Sequence, residues 1–442
     1  MKPPLNAFEK ARRRTLGAVF LTILLDLVGF GMFIPIIANV ARELGASTTH
    51  AAALSTWFSV GTLVSVVTLG RLSDRIGRKP VLVGTVALST LAQLATGFVG
   101  TLAPAGQTIL ALTAVRFVAG IAAGNIGVAQ ACIADLTSPR ERSRYMILIG
   151  LAFGAGFAIG PALGAAVATF WEHDTLRAVA FAGAALNVVN LAAVAWRMPE
   201  SKGLRQRLLD AEAALEPHSA AQFSRSPLEP APSSWRTDLA ALLRTPGFAV
   251  VLLLQFLQVF SFVGVETILP IALRDAYALA DASIYQAFIV IGVSVLVVNG
   301  GLARPVLKRI GEVPTLILGQ LFLAVGVASI PLFAPRVPLL YAGLVLLALG
   351  TGLSNPALSS IVSRLAPASQ QGLALSTAQG LSAGARIAGP VTLGLLYESM
   401  NGARSLVVSF TLLLVGALTA VVGLAGARAQ FRREENAPEA ST

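Results

Sequence analysis

Gly70-Arg71-Leu72-Ser73-Asp74-Arg75-Ile76-Gly77-Arg78-Lys79-Pro80 is a dense run of charge set between two stretches, 51–70 and 81–101, that carry no charged residue at all. Each flanking stretch has the ~20 mostly apolar residues that a helix needs to cross the ~30 Å hydrocarbon layer of a bilayer. Gly70 lets two helices approach closely, Gly77 permits a tight turn, and Arg71, Arg75, Arg78 and Lys79 bind the anionic inner surface of a membrane. The segment therefore reads as a short cytosolic connection between two membrane spans.

The same alternation continues along all 442 residues, 55% of which are hydrophobic and 12% charged, against about 25% charged for soluble proteins. Twelve apolar windows are predicted as helices: 16–40, 51–70, 81–101, 107–134, 145–170, 178–197, 248–273, 285–303, 314–334, 338–363, 373–397 and 404–427. The fold class expected is an all-α membrane protein of twelve transmembrane helices in two pseudo-symmetric six-helix bundles. Of the 33 Lys and Arg residues, only Arg42, Arg177, Arg274, Arg336 and Arg404 fall in alternate, outer loops, and Arg116 and Arg386 fall inside spans. That asymmetry places both termini in the cytosol. The net charge of +11 is thus a topology signal, and nucleic acid is excluded as a partner.

Residues 198–246 break the pattern. They are polar, contain Pro227, Pro230 and Pro232, and read as a cytosolic linker, with Leu204–Leu215 as a surface-lying helix if one forms. The expected organisation is a six-helix bundle over 1–197, the linker over 198–246, and a second bundle with a short cytosolic tail over 247–442. An internal repeat supports it. Val28-Gly29-Phe30-Gly31-Met32-Phe33-Ile34-Pro35-Ile36 is echoed by Val263-Gly264-Val265-Glu266-Thr267-Ile268-Leu269-Pro270-Ile271, Arg75-Ile76-Gly77 by Arg309-Ile310-Gly311, and Gly160-Pro161 by Gly389-Pro390. Parallel repeats around a midplane site are a transporter architecture.

Cys132 is the one cysteine and lies in an apolar stretch, so no internal disulfide forms. His50, His173 and His218 fall in loops without ligand spacing, and neither a metal nor a cofactor is expected. The apolar run after Lys10, Arg12, Arg13 and Arg14 is longer than the core of a secretory signal and lacks a cleavage site, so it is read as a permanent first span. Short outer loops without an Asn-x-Ser/Thr sequon fit a bacterial inner membrane.

The run from Gly70 to Pro80 resembles the signature cytosolic loop of the major facilitator superfamily. The resemblance implies that Asp74 faces the positive N-terminal end of span 11 and acts, with Gly70, Arg75, Gly77, Arg78 and Lys79, as a conformational latch. It also implies that Asp135, at the end of span 4, pairs with Arg75 or Arg78. Gly156, Gly160, Pro161 and Gly164 in span 5 resemble the helix motif of antiporters in that superfamily; Ala165 stands where the family often has a further glycine. Small residues at this spacing bring helix backbones together, and the proline bends the helix. Leu25-Asp26-Leu27-Val28-Gly29-Phe30-Gly31-Met32-Phe33-Ile34-Pro35 is similar to the first helix of the drug:proton antiporters, including the tetracycline exporters. The resemblance covers nearly the whole chain but is degenerate after span 8, where Arg304 to Glu312 lacks the aspartate and the second basic pair.

Asp26 lies about 15 Å into span 1, near the bilayer midplane, where a charge costs about 2.5–3.5 kcal/mol. Arg116 falls at similar depth in span 4 and is expected as its partner or alternating competitor. A carboxyl holds its proton tightly in apolar surroundings and loosely beside a fixed cation, so exchange between the two environments would load and release protons. Glu266 in span 7 is a second candidate for proton coupling, with Arg386 of span 11 as its neighbour in depth. Asn125, Gln255, Gln258 and Asn355, with Phe30, Phe117, Phe256 and Phe260, are expected to line the substrate cavity, because spans 1, 4, 7 and 10 surround the pathway in this superfamily. The function expected is a monomeric proton-coupled exporter of small organic molecules, a drug, natural product or siderophore-like metabolite. The alternative is a proton-coupled importer of a sugar or organic acid on the same fold, against which the span 1 and span 5 motifs speak. A membrane enzyme would need a histidine or metal cluster near the interface, and no span contains a histidine.

Overall fold

The structure, a computed structural model, describes residues 5–103, 106–137, 139–171, 174–201, 235–367 and 370–427. Every regular element among them is helical: α1 (Leu5–Glu43), α2 (Thr48–Ile76), α3 (Arg78–Leu102), α4 (Thr108–Ala123), α5 (Asn125–Leu136), α6 (Pro139–Phe170), α7 (Thr175–Arg197), α8 (Trp235–Arg244), α9 (Phe248–Tyr277), α10 (Asp281–Val297), α11 (Ala303–Ile310), α12 (Glu312–Leu332), α13 (Val337–Leu365), α14 (Gln371–Ser399) and α15 (Leu406–Gly423). In lipid no water satisfies an exposed backbone N–H or C=O, so spans of this composition have no alternative to the helix. Among the described residues eleven helices are long and apolar enough to cross a membrane, with α4 and α5 forming one span and α10 and α11 another. The twelfth expected span corresponds to α14, which is 29 residues long but carries Ser376, Thr377, Gln379, Ser382 and Arg386.

Helix ends follow local chemistry. Ser47 accepts from the His50 backbone N–H and Asp174 from that of Arg177, capping α2 and α7. Gly77, at φ 102°, turns α2 into α3, and Gly311, at φ 83°, turns α11 into α12. Both are left-handed positions at which a side chain is strained, and they occupy the same place in the repeated Arg-Ile-Gly. Two expected spans are interrupted. Span 4 breaks at Gly124, between α4 and α5, and span 8 passes through a π-turn at Val298–Leu302.

The chain divides into two compact units, residues 1–227 with 279–293, and 228–278 with 294–442. In the first unit α1 packs on α6 and α7, and α3 on α7 and α4. In the second, α9 packs on α14 and α15, and α12 on α15 and α13. Counted as spans these are the same four pairings, so the sequence repeat is a repeat of packing. Each unit gathers its apolar core at the corresponding end of its spans. In the first, Leu16, Val19, Ile23 and Leu27 of α1 meet Leu82, Cys132, Leu136, Ala152 and Val194. In the second, Phe248, Val251, Leu252 and Leu254 of α9 meet Leu316, Leu358, Leu365, Ala374 and Leu424.

Both described ends of the stretch 198–246 pack against a core. Met198 and Ser201 are buried, the latter donating to the Cys132 Sγ at 3.8 Å, and Leu242 of α8 joins the second core. Leu204–Leu215 lies outside the described residues. Exposed Phe170 and Trp171 end α6, and exposed Trp196 ends α7, as membrane-interface aromatics do.

Close helix approach rests on glycine. A Cβ at Gly160 would stand 2.6 Å from the Val28 carbonyl oxygen, and one at Gly389 would stand 2.6 Å from that of Phe260. These are equivalent crossings, α6 on α1 and α14 on α9. Gly160→Ala is expected to lower the thermal unfolding midpoint of the purified protein, since overpacking costs about 1–3 kcal/mol. Gly84→Ala, whose Cβ meets nothing within 4 Å, is expected to leave the midpoint unchanged or higher.

Candidate functional site: a polar cluster inside each unit

Just beyond the first core, Asp26 projects from α1, half-buried, one turn past Thr22. The Asn125 Nδ2 donates to Asp26 Oδ2, and the Asn190 Nδ2 of α7 donates to Asp26 Oδ1 at 3.5 Å. The single Thr22 hydroxyl proton is shared between the Ala18 carbonyl at 2.9 Å and the Asn190 Oδ1 at 3.0 Å. The Asn125 Oδ1 has no donor. One amide of the cradle thus has a polar neighbour at both of its ends and the other at its Nδ2 alone. The break at Gly124 begins α5 at Asn125, and Gly124 lies so tightly against the Ser65 side chain that no Cβ fits there. Thr22 and Asn190 were not among the residues expected. Their signal in the sequence is a polar residue four before Asp26 and an asparagine inside span 6.

The expected pairing of Asp26 with Arg116 is not found. Arg116, on α4, is buried, and its guanidinium carbon lies 4.7 Å from the centroid of the Phe33 ring, without an ion pair to Asp26. Its Nε has no acceptor. The reason is register along the helix: Arg116 meets α1 at Phe33, seven residues beyond Asp26 and about 10 Å further along the axis at 1.5 Å per residue, whereas Asn125 meets α1 at Asp26 itself. Phe30 stacks on Phe58 at 5.1 Å and meets Phe157 edge-on at 6.2 Å.

Gly156 and Gly160 seat α6 on α1, and Gly164 seats it on Tyr285, whose hydroxyl donates to the Met32 carbonyl at 3.0 Å. Pro161 lies inside α6, its Cδ against Gly31.

In the second unit the expected cavity residues form a hydrogen-bonded series. The buried Gln320 Nε2 donates to the Gln258 Oε1 at 3.2 Å, and the Gln258 Nε2 donates to the Asn355 Oδ1 at 2.7 Å. Gln255 donates to Ser382 at 3.1 Å. Asn355 is exposed at the end of that series, while the Gln320 Oε1 at its root has no donor. Gln320, in span 9, is a further residue the sequence reading passed over. Glu266 and Arg386 lie on adjacent helices within electrostatic reach of each other. Arg386 is exposed although it sits in mid-helix.

At the Gly70–Pro80 turn, Arg78 pairs with Asp74 at 2.8 Å and with Asp135 at 3.2 Å. Of the two expected partners for Asp135 the structure thus shows Arg78. Glu200, just after α7, caps α3 by accepting from the Arg78 and Lys79 backbone N–H groups at 2.9 and 3.1 Å. In the second unit Glu312 occupies the position of Arg78 and Arg364 that of Asp135, and they pair at 2.8 Å with Ser360 donating to the same carboxylate. The pair survives in the repeat with its polarity reversed.

Two repeated bundles of long apolar helices, each enclosing a hydrogen-bonded polar cluster, are the architecture of a multi-pass membrane transporter. The Major Facilitator Superfamily model matches residues 19–310 and 301–441, and the chain belongs to that superfamily. It is 28% identical over 439 residues to the Major facilitator superfamily domain-containing protein 10 of Homo sapiens, covering 90% of each chain. It is 28% identical over 388 residues to the class C tetracycline resistance protein of Escherichia coli, covering 86% of this chain and 88% of that one. The crystal structure of the human organic anion transporter MFSD10 superposes with a TM-score of 0.63 at 25% identity, covering 95% of this chain and 100% of the other.

The half-buried Glu312–Arg364 pair gives a direct test of polarity. Arg364→Ala is expected to lower the unfolding midpoint by an amount equivalent to about 1–3 kcal/mol, because it strands a carboxylate. Glu312→Arg with Arg364→Glu, which imposes the polarity of the first unit, is expected to recover most of that loss.

Proposed function

We propose that this chain is a proton-driven exporter of small organic molecules that works by alternating access, with Asp26 as the proton-carrying group. The observation that supports the reading best is the Asp26 cradle. Its first shell consists of neutral amides rather than a cation, so neither protonation state is locked in by charge. A carboxylate accepts from both Nδ2 groups, whereas a carboxylic acid needs one acceptor. Turning the Asn125 amide would present its unpartnered Oδ1 to the acid proton, while the Asn190 Nδ2 stays on the other carboxyl oxygen. The pair can serve both states with one small rotation.

Glu266, near Arg386, is the second coupling group in this reading. The amide series ending at exposed Asn355, together with Gln255 and the half-buried Phe30, supplies the neutral, hydrogen-bonding and aromatic surfaces that an organic cargo requires. Export is favoured by the α6 glycines, by the first-span likeness to drug:proton antiporters, and by the relatives, a tetracycline resistance protein and an organic anion transporter among them. The Gly70–Pro80 turn, with Asp74 and the Arg78–Asp135 pair, acts as the latch between conformations. The excess of basic residues in alternate loops supports cytosolic termini in a bacterial inner membrane.

The test is substrate-dependent proton movement in proteoliposomes carrying a pH-sensitive dye, with a panel of antibiotics, dyes and iron chelators. The native chain is expected to move protons with at least one class of compound. Asp26→Asn is expected to abolish that signal, while exchange of the same compound across the membrane without a pH gradient persists. Proton movement that survives Asp26→Asn removes Asp26 from the coupling role, and no proton signal with any exporter substrate favours import.

A further inference from the structure

Gly77 and Gly311 occupy the same place in the repeated Arg-Ile-Gly, and both turn one helix into the next with a left-handed backbone. Their surroundings differ. A Cβ at Gly77 would stand 2.6 Å from the Glu200 Oε2, whereas a Cβ at Gly311 would meet nothing within 4 Å. The filled turn carries Asp74 and the basic residues of the signature, and the open one follows residues 304–310, from which the aspartate is missing. Capping for its own sake does not explain the contrast, because α3 and α12 begin at equivalent glycines and leave the same first-turn N–H groups without partners in the helix. The carboxylate accompanies the latch.

We propose that Glu200 is a positioning residue of the latch, holding the main chain of Arg78 so that the guanidinium of the same residue is presented to Asp74 and Asp135. This rests on the latch reading of the Gly70–Pro80 turn, to which it adds a residue from beyond the last helix of the bundle. The carboxylate is itself held in place. Met198, two residues before it, is buried in the first core, and Ser201, buried directly after it, donates to the Cys132 Sγ at 3.8 Å. Both carboxylate oxygens are engaged, Oε1 by the Arg78 N–H at 2.9 Å and Oε2 by the Lys79 N–H at 3.1 Å, and a negative charge at a helix N-terminus gains further from the helix dipole. Arg78 is thus gripped twice, along its main chain by Glu200 and at its guanidinium by Asp74 and Asp135 at 2.8 and 3.2 Å. A side chain on an anchored main chain starts from fewer conformations, so the two ion pairs cost less ordering each time they re-form. Gly77 consequently serves two ends, the turn itself and the space that the carboxylate fills, which any side chain would take from it.

The experiment uses the full-length chain in lipid nanodiscs, with Cys132→Ala and spin labels on Leu110→Cys and Leu339→Cys, exposed positions in the first turns of α4 and α13. Double electron–electron resonance reads the ratio of the transport conformations from the distances between the labels. Asp74→Ala, which removes a partner of Arg78 directly, is expected to shift that ratio. Glu200→Ala is expected to shift it in the same direction by at least about fivefold, and Glu200→Gln, which keeps one acceptor oxygen, by less. The double variant is expected to go no further than the larger single shift, because both residues act through Arg78. Unfolding midpoints show that the variants are folded, and a cap serving stability alone lowers the Glu200→Ala midpoint while leaving the ratio where it was. An unchanged ratio in Glu200→Ala, or single shifts that simply add in the double variant, overturns the assignment. If Asp74→Ala shifts the ratio and Glu200→Ala does not, the latch stands without Glu200; if neither shifts it, both fall. Proton coupling by Asp26 is untouched by any of these results.

Discussion

A polar group inside a membrane has to find its partner within the protein, because lipid supplies neither donors nor acceptors. For the backbone this means helices throughout. For side chains the constraint is more selective, and it organises the interior of each unit. Thr22, Asn190, Asp26 and Asn125 form one hydrogen-bonded set, and Gln320, Gln258 and Asn355 form another, each with one amide oxygen left without a donor. Apolar packing cannot do this work, since lipid tails are as apolar as leucine and exert no hydrophobic force between helices. What remains is close contact, and glycine supplies it at the α1–α6 and α9–α14 crossings.

Most of the fold could be read directly from the sequence. The spans follow from apolar length, and the repeat in residues 28–36, 75–77 and 160–161 proves to be a repeat of helix pairing and of left-handed glycines at 77 and 311. The two interrupted spans could not be read in this way. Gly124 and Asn299-Gly300-Gly301 are tolerated in membrane helices, and whether such residues break a helix depends on what packs there, as Ser65 does at Gly124. The partner of Asp26 could not be read. Counting residues from the span ends puts Arg116 level with Asp26, but the register of α4 and α5 against α1 sets Arg116 at Phe33, two turns further on, and Asn125 at the carboxyl. Glu200 escaped notice because it follows a span in what read as a tether, and only the folded chain brings it to the start of α3.

The difference between the two amides of the cradle is physical as well. Asn190 has a hydroxyl at its oxygen and Asn125 does not, so two chemically identical amides around one carboxyl have different surroundings. The orphan acceptor on Asn125 is costly in a static interior, and the proton-carrying role proposed for Asp26 would supply it with a donor.

The reversed ion pair at Glu312 and Arg364 changes how relatedness should be recognised. Residue by residue, the turn after α11 has lost the signature seen after α2, and a comparison of letters scores it as decay. What the repeat inherits is a relation between two positions, satisfied by either order of charge and broken by mixtures. Between one polarity and the other, every single substitution passes through two like charges or a stranded one, so the exchange required coupled changes. In an alignment of relatives these two columns should therefore vary together with opposite sign, a signal that survives after the identity of each column has been erased.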